Sequence, residues 1–130
     1  MSRHAIIVIK NDNNEYLQYY DERWNSYLFL NCKLEDNFND DTIKKYVADK
    51  LNIDINNITC KYISDKIHTK FSESAQKEKE YHHYFYKVII DIPFSIDDNY
   101  KFFSYEKLMN DERIKKVNSD IIGFINELNL

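Results

Sequence analysis

Glycine and proline each occur once in 130 residues, as Gly123 and Pro93. An ordinary globular chain carries about 7% glycine and about 5% proline. The residues that usually supply tight turns and left-handed backbone are therefore almost missing. This excludes a collagen-like repeat and a Gly/Pro-rich linker. Cysteine is scarce as well. Cys32 and Cys60 stand alone, too few to build the disulfide framework of a small secreted domain. Long apolar runs are absent. Ala5 to Ile9 is too short for a secretory signal or a membrane span. A basic stripe is missing too: 18 basic and 22 acidic residues are interspersed, for a net charge of -4. No phosphate-backbone footprint for nucleic acid follows from that pattern. Lys44, Lys45 and Lys50 on one expected helix, and Lys115 and Lys116 on another, read as solvated faces. The expectation is a cytoplasmic domain with reduced thiols, spanning residues 1–130 and needing no membrane or nucleic acid.

What the chain does have is asparagine and aromatic residues. Asparagine occurs 15 times, tyrosine 11, phenylalanine 8 and tryptophan once. A hydrophobic fraction of 43% excludes a disordered chain despite a mean hydropathy of -0.67. Ala5 to Ile9 is β-branched and continuously apolar, which predicts a strand buried on both faces. Asn11 to Asn14 reads as a turn and Glu15 to Tyr20 as a second strand, pairing with the first as a hairpin. Trp24 to Leu30 is expected to be extended.

Phe38 to Ile43 has the grammar of a helix start. Asn39 is the expected N-cap, and Asp40 and Asp41 face the positive helix end. Phe38 and Ile43 are spaced as a hydrophobic staple. Ile43, Val47 and Leu51 then form one apolar face, and Asn52 suits a left-handed C-terminal cap. Strands follow at Ile58 to Ser64 and near Ile67 to Phe71. Ser72 to Glu80 reads as a loop or helical turn, and Tyr81 to Asp91 as a long strand closed by Pro93. Tyr100 to Phe103 is extended and Tyr105 to Met109 one helical turn. A last helix starts near Asn118 or Ser119, with Ile121, Ile122, Ile125 and Leu128 as its stripe and Gly123 tolerated inside it. Strands flanking a central helix, with a terminal helix, imply an α/β or α+β sandwich.

This order resembles the Nudix hydrolase family along nearly the whole chain. Arg23-Trp24 is similar to the pair that commonly precedes the family's box, and Phe102 to Leu108 to the segment before its C-terminal helix. The box reads G-x5-E-x7-R-E-U-x-E-E-x-G-U. Aligned from Asn52-Ile53, it places Lys45, Tyr46, Val47, Asp49 and Lys50 on R, E, U, E and E. Counting back puts Asn31 on the first Gly and Asn37 on the first Glu, whereas Asn31 to Glu35 resembles the Gly-Gly-x-x-Glu string. Residues 31 to 38 therefore align in two ways. The resemblance implies an α/β/α sandwich: a mixed sheet, a central box helix and a C-terminal helix. It also implies hydrolysis of nucleoside diphosphate derivatives with Mg²⁺ or Mn²⁺.

The departures bear on that chemistry. Hard divalent cations take oxygen ligands, and only Asp49 remains acidic among the three helix positions. A protonated Tyr46 ligates poorly. Lys50 would repel a cation at about 4 Å by roughly 4 kcal/mol per charge at an effective dielectric near 20. The expectation is a degenerate box and a catalytically impaired pseudoenzyme with no cofactor. It would bind a nucleotide-like ligand or a partner, with Trp24, Tyr27 and Lys50 as ligand contacts. Lys50 can act as a point charge for phosphate. The alternative is a divergent active pyrophosphohydrolase using Asp49 with Glu35, Asp36, Asp40 and Asp41, or the 72–80 segment. A second alternative is a protein-interaction module, including a homodimer, that uses exposed aromatics. His68, His82, His83 and Cys60 lack metal-site spacing, and His82 and His83 should face opposite sides of a strand. Cys32 shows no sign of a lowered thiol pKa and reads as filling a glycine slot.

Overall fold

The computed structural model describes residues 1–130. Strand β1 (Ser2–Val8) occupies the middle of the sheet, and Ala5 to Ile9 are each at most 5% exposed. It is followed by β2 (Tyr16–Asp21), β3 (Ser26–Lys33), α1 (Asp40–Leu51), β4 (Ile58–Ser72), β5 (Lys77–Ile90), β6 (Tyr100–Phe103), α2 (Tyr105–Asn110) and α3 (Glu112–Glu127). The six strands form one sheet in the order β4-β5-β1-β3-β2-β6. β1 and β5 run parallel; every other neighbouring pair is antiparallel. Alternate residues of β1 point to opposite faces, so two cores form. Ala5, Ile7 and Ile9 join Ile43, Val47 and Leu51 of α1 on one face. Ile6 and Val8 join Leu108 of α2 and Ile114, Ile121, Ile122 and Ile125 of α3 on the other. The result is the expected α/β/α sandwich with a mixed sheet. No helix is long and apolar enough to cross a membrane.

Helix α1 begins as its sequence predicts. The Asn39 side chain accepts from the Thr42 N–H at 3.2 Å while Thr42 Oγ1 accepts from the Asn39 N–H at 3.1 Å, closing a capping box. Phe38 and Ile43 enter the same core cluster. Asn52 ends the helix at φ 54°. Gly123 is exposed, and an added Cβ would meet nothing within 4 Å.

Five expectations need correction. β1 and β2 do not form a hairpin ladder: only Lys10 and Tyr16 make a bridge. A strand has two edges, and β1 gives its edges to β3 and β5. Trp24 lies in the turn before β3, not in a strand. The two short strands expected after α1 are one strand of 15 residues, β4, continued through a bulge between Tyr62 and Ser64. Within the 72–80 segment only residues 73–76 form a turn, a tight hairpin connection, since β4 runs to Ser72 and β5 begins at Lys77. α3 begins at Glu112, capped by Asp111, whose Oδ1 accepts from Arg113 N and Ile114 N at 3.0 and 2.9 Å. The backbone breaks at Asn118 (φ -137°, ψ 16°), where the sequence had suggested a helix start.

Of the three asparagines aligned with the box, only one has left-handed backbone. Asn52 is left-handed, but neither Asn31 nor Asn37 is. Asn31 and Cys32 lie within β3, paired with Ile6 and Ala5 of β1.

Candidate functional site

On α1 the apolar residues Ile43, Val47 and Leu51 face the sheet. Residues i and i+4 share a flank, so Tyr46 and Lys50 stand together beside that stripe. They form one wall of a cleft of about 420 Å³. The opposite walls come from β2 and β3, with Tyr19, Asp21, Asn31 and Lys33, and from His4 and Arg23. Lys50 Nζ lies 5.7 Å from the Tyr46 ring centre, within cation–π reach. Burial pushes the Tyr46 phenol well above its ordinary value, so it stays protonated.

Asp21 is the single carboxylate in this cleft, and its oxygens are taken. It accepts from the Arg23 N–H at 2.9 Å, from the Arg23 guanidinium at 3.2 Å and from Tyr19 Oη at 3.1 Å. Burial pushes Asp21 upward, but these bonds outweigh it and hold the group below the usual carboxylate range. Asn31 Nδ2 donates to Tyr19 Oη at 3.2 Å and to Phe29 O at 3.0 Å. Burial lifts Tyr19 to about 12.

A second cavity of about 190 Å³ adjoins the cleft and shares His4, Arg23, Asn31 and Lys33 with it. It lies on the α3 side of the sheet, walled by Trp24, Lys70, Lys79, Tyr81, His83 and Asn118, with no Asp or Glu in its lining. Lys33, Lys50 and Lys79 take part in no ion pair. A protein of net charge -4 thus gathers three uncompensated lysines and Arg23 around two connected hollows. Such a concentration attracts anions.

The sequence-predicted residues are distributed unevenly. Lys50 lines the cleft and Trp24 the adjoining cavity. Tyr27 lines neither; its half-buried ring centre lies 5.1 Å from that of Phe103 and 5.4 Å from that of Tyr20, against the α3-side core. Asp49 and Lys45 are exposed and do not line the cleft. Glu35 is exposed, and Asp36 pairs with Arg3 at 3.0 Å. Asp40 and Asp41 border a separate aromatic groove with Tyr62 and Tyr84 at the start of α1. The carboxylates of the divergent-hydrolase alternative are therefore not brought together. No three His, Cys, Asp or Glu side chains are grouped to hold a metal ion. Cys32 and Cys60 are unpaired, and burial raises their thiols to about 11 and about 12, unsuited to nucleophilic attack. His82 and His83 do part to opposite faces: His82 contacts Asp65, His83 contacts His68.

No protein-family model matches the sequence, and no curated protein matches it. Solved structures do. An Ap4A hydrolase of C. elegans is 15% identical, with a TM-score of 0.65 over 99% of this chain and 96% of that one. A NUDIX-family hydrolase of Clostridium perfringens is 14% identical, with a TM-score of 0.59 over 98% and 94%. The C-terminal domain of mouse MUTYH, solved in complex with human PCNA, is 11% identical, with a TM-score of 0.62 over 98% and 90%. The chain has a Nudix-like fold.

In a Nudix-like frame, α1 is the box helix. Its cleft-lining flank presents a phenol and an ammonium, and Asp49 is exposed and does not line the cleft. This donor set does not fit Mg²⁺ or Mn²⁺, which need several oxygen ligands. The residues that sequence reasoning missed are Lys33, Lys70, Lys79, His83 and Asn118. They come from four different elements, and the sheet register and the packing of α3 bring them together.

Proposed function

We propose that this Nudix-like protein has lost metal-dependent hydrolysis and binds a nucleotide-like anion in the cleft and its adjoining cavity. The observation that carries this reading is the replacement of cleft-facing carboxylates on α1 by Tyr46 and Lys50, opposite Arg23 and Lys33. Lysine and arginine bind phosphate by charge-assisted hydrogen bonds without a bridging metal. Trp24, held over Lys70 at 5.4 Å, supplies an aromatic surface in the cavity where a base can stack. Reduced Cys32 and Cys60 suit a cytoplasmic site of action.

Calorimetric titration with ADP, GDP, CDP and UDP, with and without Mg²⁺ or Mn²⁺, tests the reading. Saturable binding without metal, weakened about tenfold by Lys50→Ala, is expected, together with no turnover. Robust metal-dependent hydrolysis abolished by Asp49→Ala would overturn it in favour of the divergent hydrolase. A second reading, an interaction module, rests on β4. This long edge strand exposes Tyr62, Ile67 and Phe71, and the similar MUTYH domain was solved bound to another protein. Concentration-dependent self-association in sedimentation, with no response to any nucleotide, would favour that reading.

A further inference from the structure

The bulge in β4 decides what surrounds the second cavity. Before it, Tyr62 pairs with Tyr86; after it, Ser64 pairs with Phe85. One extra residue switches which side chains face which side of a sheet. Lys66, His68 and Lys70 consequently face α3 instead of α1. There His68 Nε2 lies 2.7 Å from His83 Nδ1, and His68 Nδ1 lies 3.2 Å from Asp120 Oδ2. Lys70 donates to the other Asp120 oxygen at 3.0 Å. The His83 ring stacks on Tyr81 at 5.2 Å.

Electrostatics fixes the protons along this row. The Asp120 contact is not aligned as a full hydrogen bond. Even so, a ring lone pair aimed at a carboxylate oxygen at this distance is repelled, so His68 carries its proton on Nδ1. Its Nε2 is then an acceptor, and the 2.7 Å contact requires His83 to donate from Nδ1. That leaves His83 Nε2 as a lone pair. It makes no hydrogen bond to the protein, and His83 lines the cavity. His4, whose Nδ1 is buried without a partner, lines the same cavity.

We propose that Asp120 and His68 are positioning residues that hold His83 as a fixed hydrogen-bond acceptor for an N–H or O–H donor on the uncharged end of the bound anion. The inference rests on the cleft and cavity forming one ligand site, as proposed above. It adds a directional requirement: the lysines take the phosphate end, and the end against His83 must donate. Burial, reinforced by His68, Lys70, His4 and His82, lowers the His83 imidazole to about 2, which keeps the acceptor uncharged at neutral pH. A ligand presenting only acceptors there would leave two lone pairs opposed, a cost comparable to a buried unmade hydrogen bond.

NMR of protein carrying ¹⁵N-labelled histidine tests this directly. Without ligand, His83 is expected as the Nδ1–H tautomer; an Nε2–H tautomer overturns the proposal. On adding the four nucleoside diphosphates, the Nε2 resonance should move saturably with at least one. Inorganic pyrophosphate, which lacks a base, should move the amides around Lys33 and Lys50 but not this nitrogen. Asp120→Asn should allow the other His83 tautomer and weaken nucleotide binding about tenfold, leaving pyrophosphate binding unchanged. Nucleotide binding with an unmoved His83 Nε2 overturns the acceptor role alone. Absence of any response in the cleft amides overturns the ligand-site reading, and this proposal with it.

Discussion

Asparagine does at single positions what glycine normally does. Five non-glycine residues have left-handed backbone, and four of them are asparagine: Asn14, Asn25, Asn52 and Asn129. A short polar side chain tolerates that region better than any other residue with a Cβ. At Asn52 the left-handed turn ends α1 and sends its N–H back to Ala48 O. Replacing it with alanine should cost about 1–2 kcal/mol in urea unfolding, while glycine should cost nothing measurable. An equal cost for both would show that the side-chain amide, not the backbone angle, matters. Residue identity also decides the chemistry of the cleft. Tyr46→Glu combined with Lys50→Glu would put two carboxylates on the cleft-facing flank, one helical turn apart, beside Asp21. That double variant should gain a Mn²⁺-dependent rise in thermal stability that the parent chain lacks. At a hundredfold excess over its dissociation constant the gain is about 2.7 kcal/mol. No gain would mean that the cleft's lysine and arginine, rather than missing ligands, exclude the cation.

Elements were legible in the sequence where their signals were local. The cap, first-turn acids, apolar stripe and left-handed end of α1 all lie within 14 residues, Asn39 to Asn52, and all took the expected form. β4 was not legible as one strand. The polar Asp65-Lys66 reads as a break between two short strands, and only pairing with β5, through a bulge between Tyr62 and Ser64, carries the chain on as one. α3 was obscured by its own irregularity, because Asn118 looks like a cap where the backbone in fact breaks within the helix. The same non-local features made the site half-legible. Tyr46 and Lys50 were readable as neighbours on one helix, whereas His68, His83 and Asp120 meet only after the bulge sets the register. Deleting Ile63, the unpaired bulge residue, should straighten β4 while keeping Ser64 opposite Phe85, and so leave Lys66, His68 and Lys70 on the α3 face. The Lys66–Glu127 and Lys70–Asp120 pairs, at 3.1 and 3.0 Å, should survive. The expected cost in urea unfolding is the lost packing of Ile63 against the α3-side core, about 1–3 kcal/mol, with every later side chain of β4 keeping its side. Failure to fold would show that the bend at the bulge, and not only the register it sets, is needed to bring β4 against α3.

At the scale of the whole molecule, the same buried histidines couple folding to pH. His4 and His83 are opposite each other across the parallel β1–β5 pair. Burial lowers His4 from 6.5 to about 4, with Lys79, Lys33 and Arg23 adding to the shift. Burial, with His68, Lys70, His4 and His82, lowers His83 to about 2. Both folded values lie below the unfolded value of 6.5, so between them the unfolded chain binds protons that the folded chain refuses. Stability is then complete above pH 6.5 and falls as pH drops through 6 and 5. The limiting slope is about 1.4 kcal/mol per pH unit for each histidine, for His4 until about pH 4 and for His83 further. Asp21, whose folded value is also depressed, adds a loss only below its ordinary value of 3.8. Urea unfolding at pH 7.5, 6.0 and 5.0 should show this decline, and His4→Phe should flatten part of it. A stability unchanged from pH 7.5 to 5.0 would mean that the sheet accepts charged imidazoles at these positions. The neutral acceptor assigned to His83 would then lose its physical basis, because the burial that costs stability in acid is what keeps that lone pair free at neutral pH.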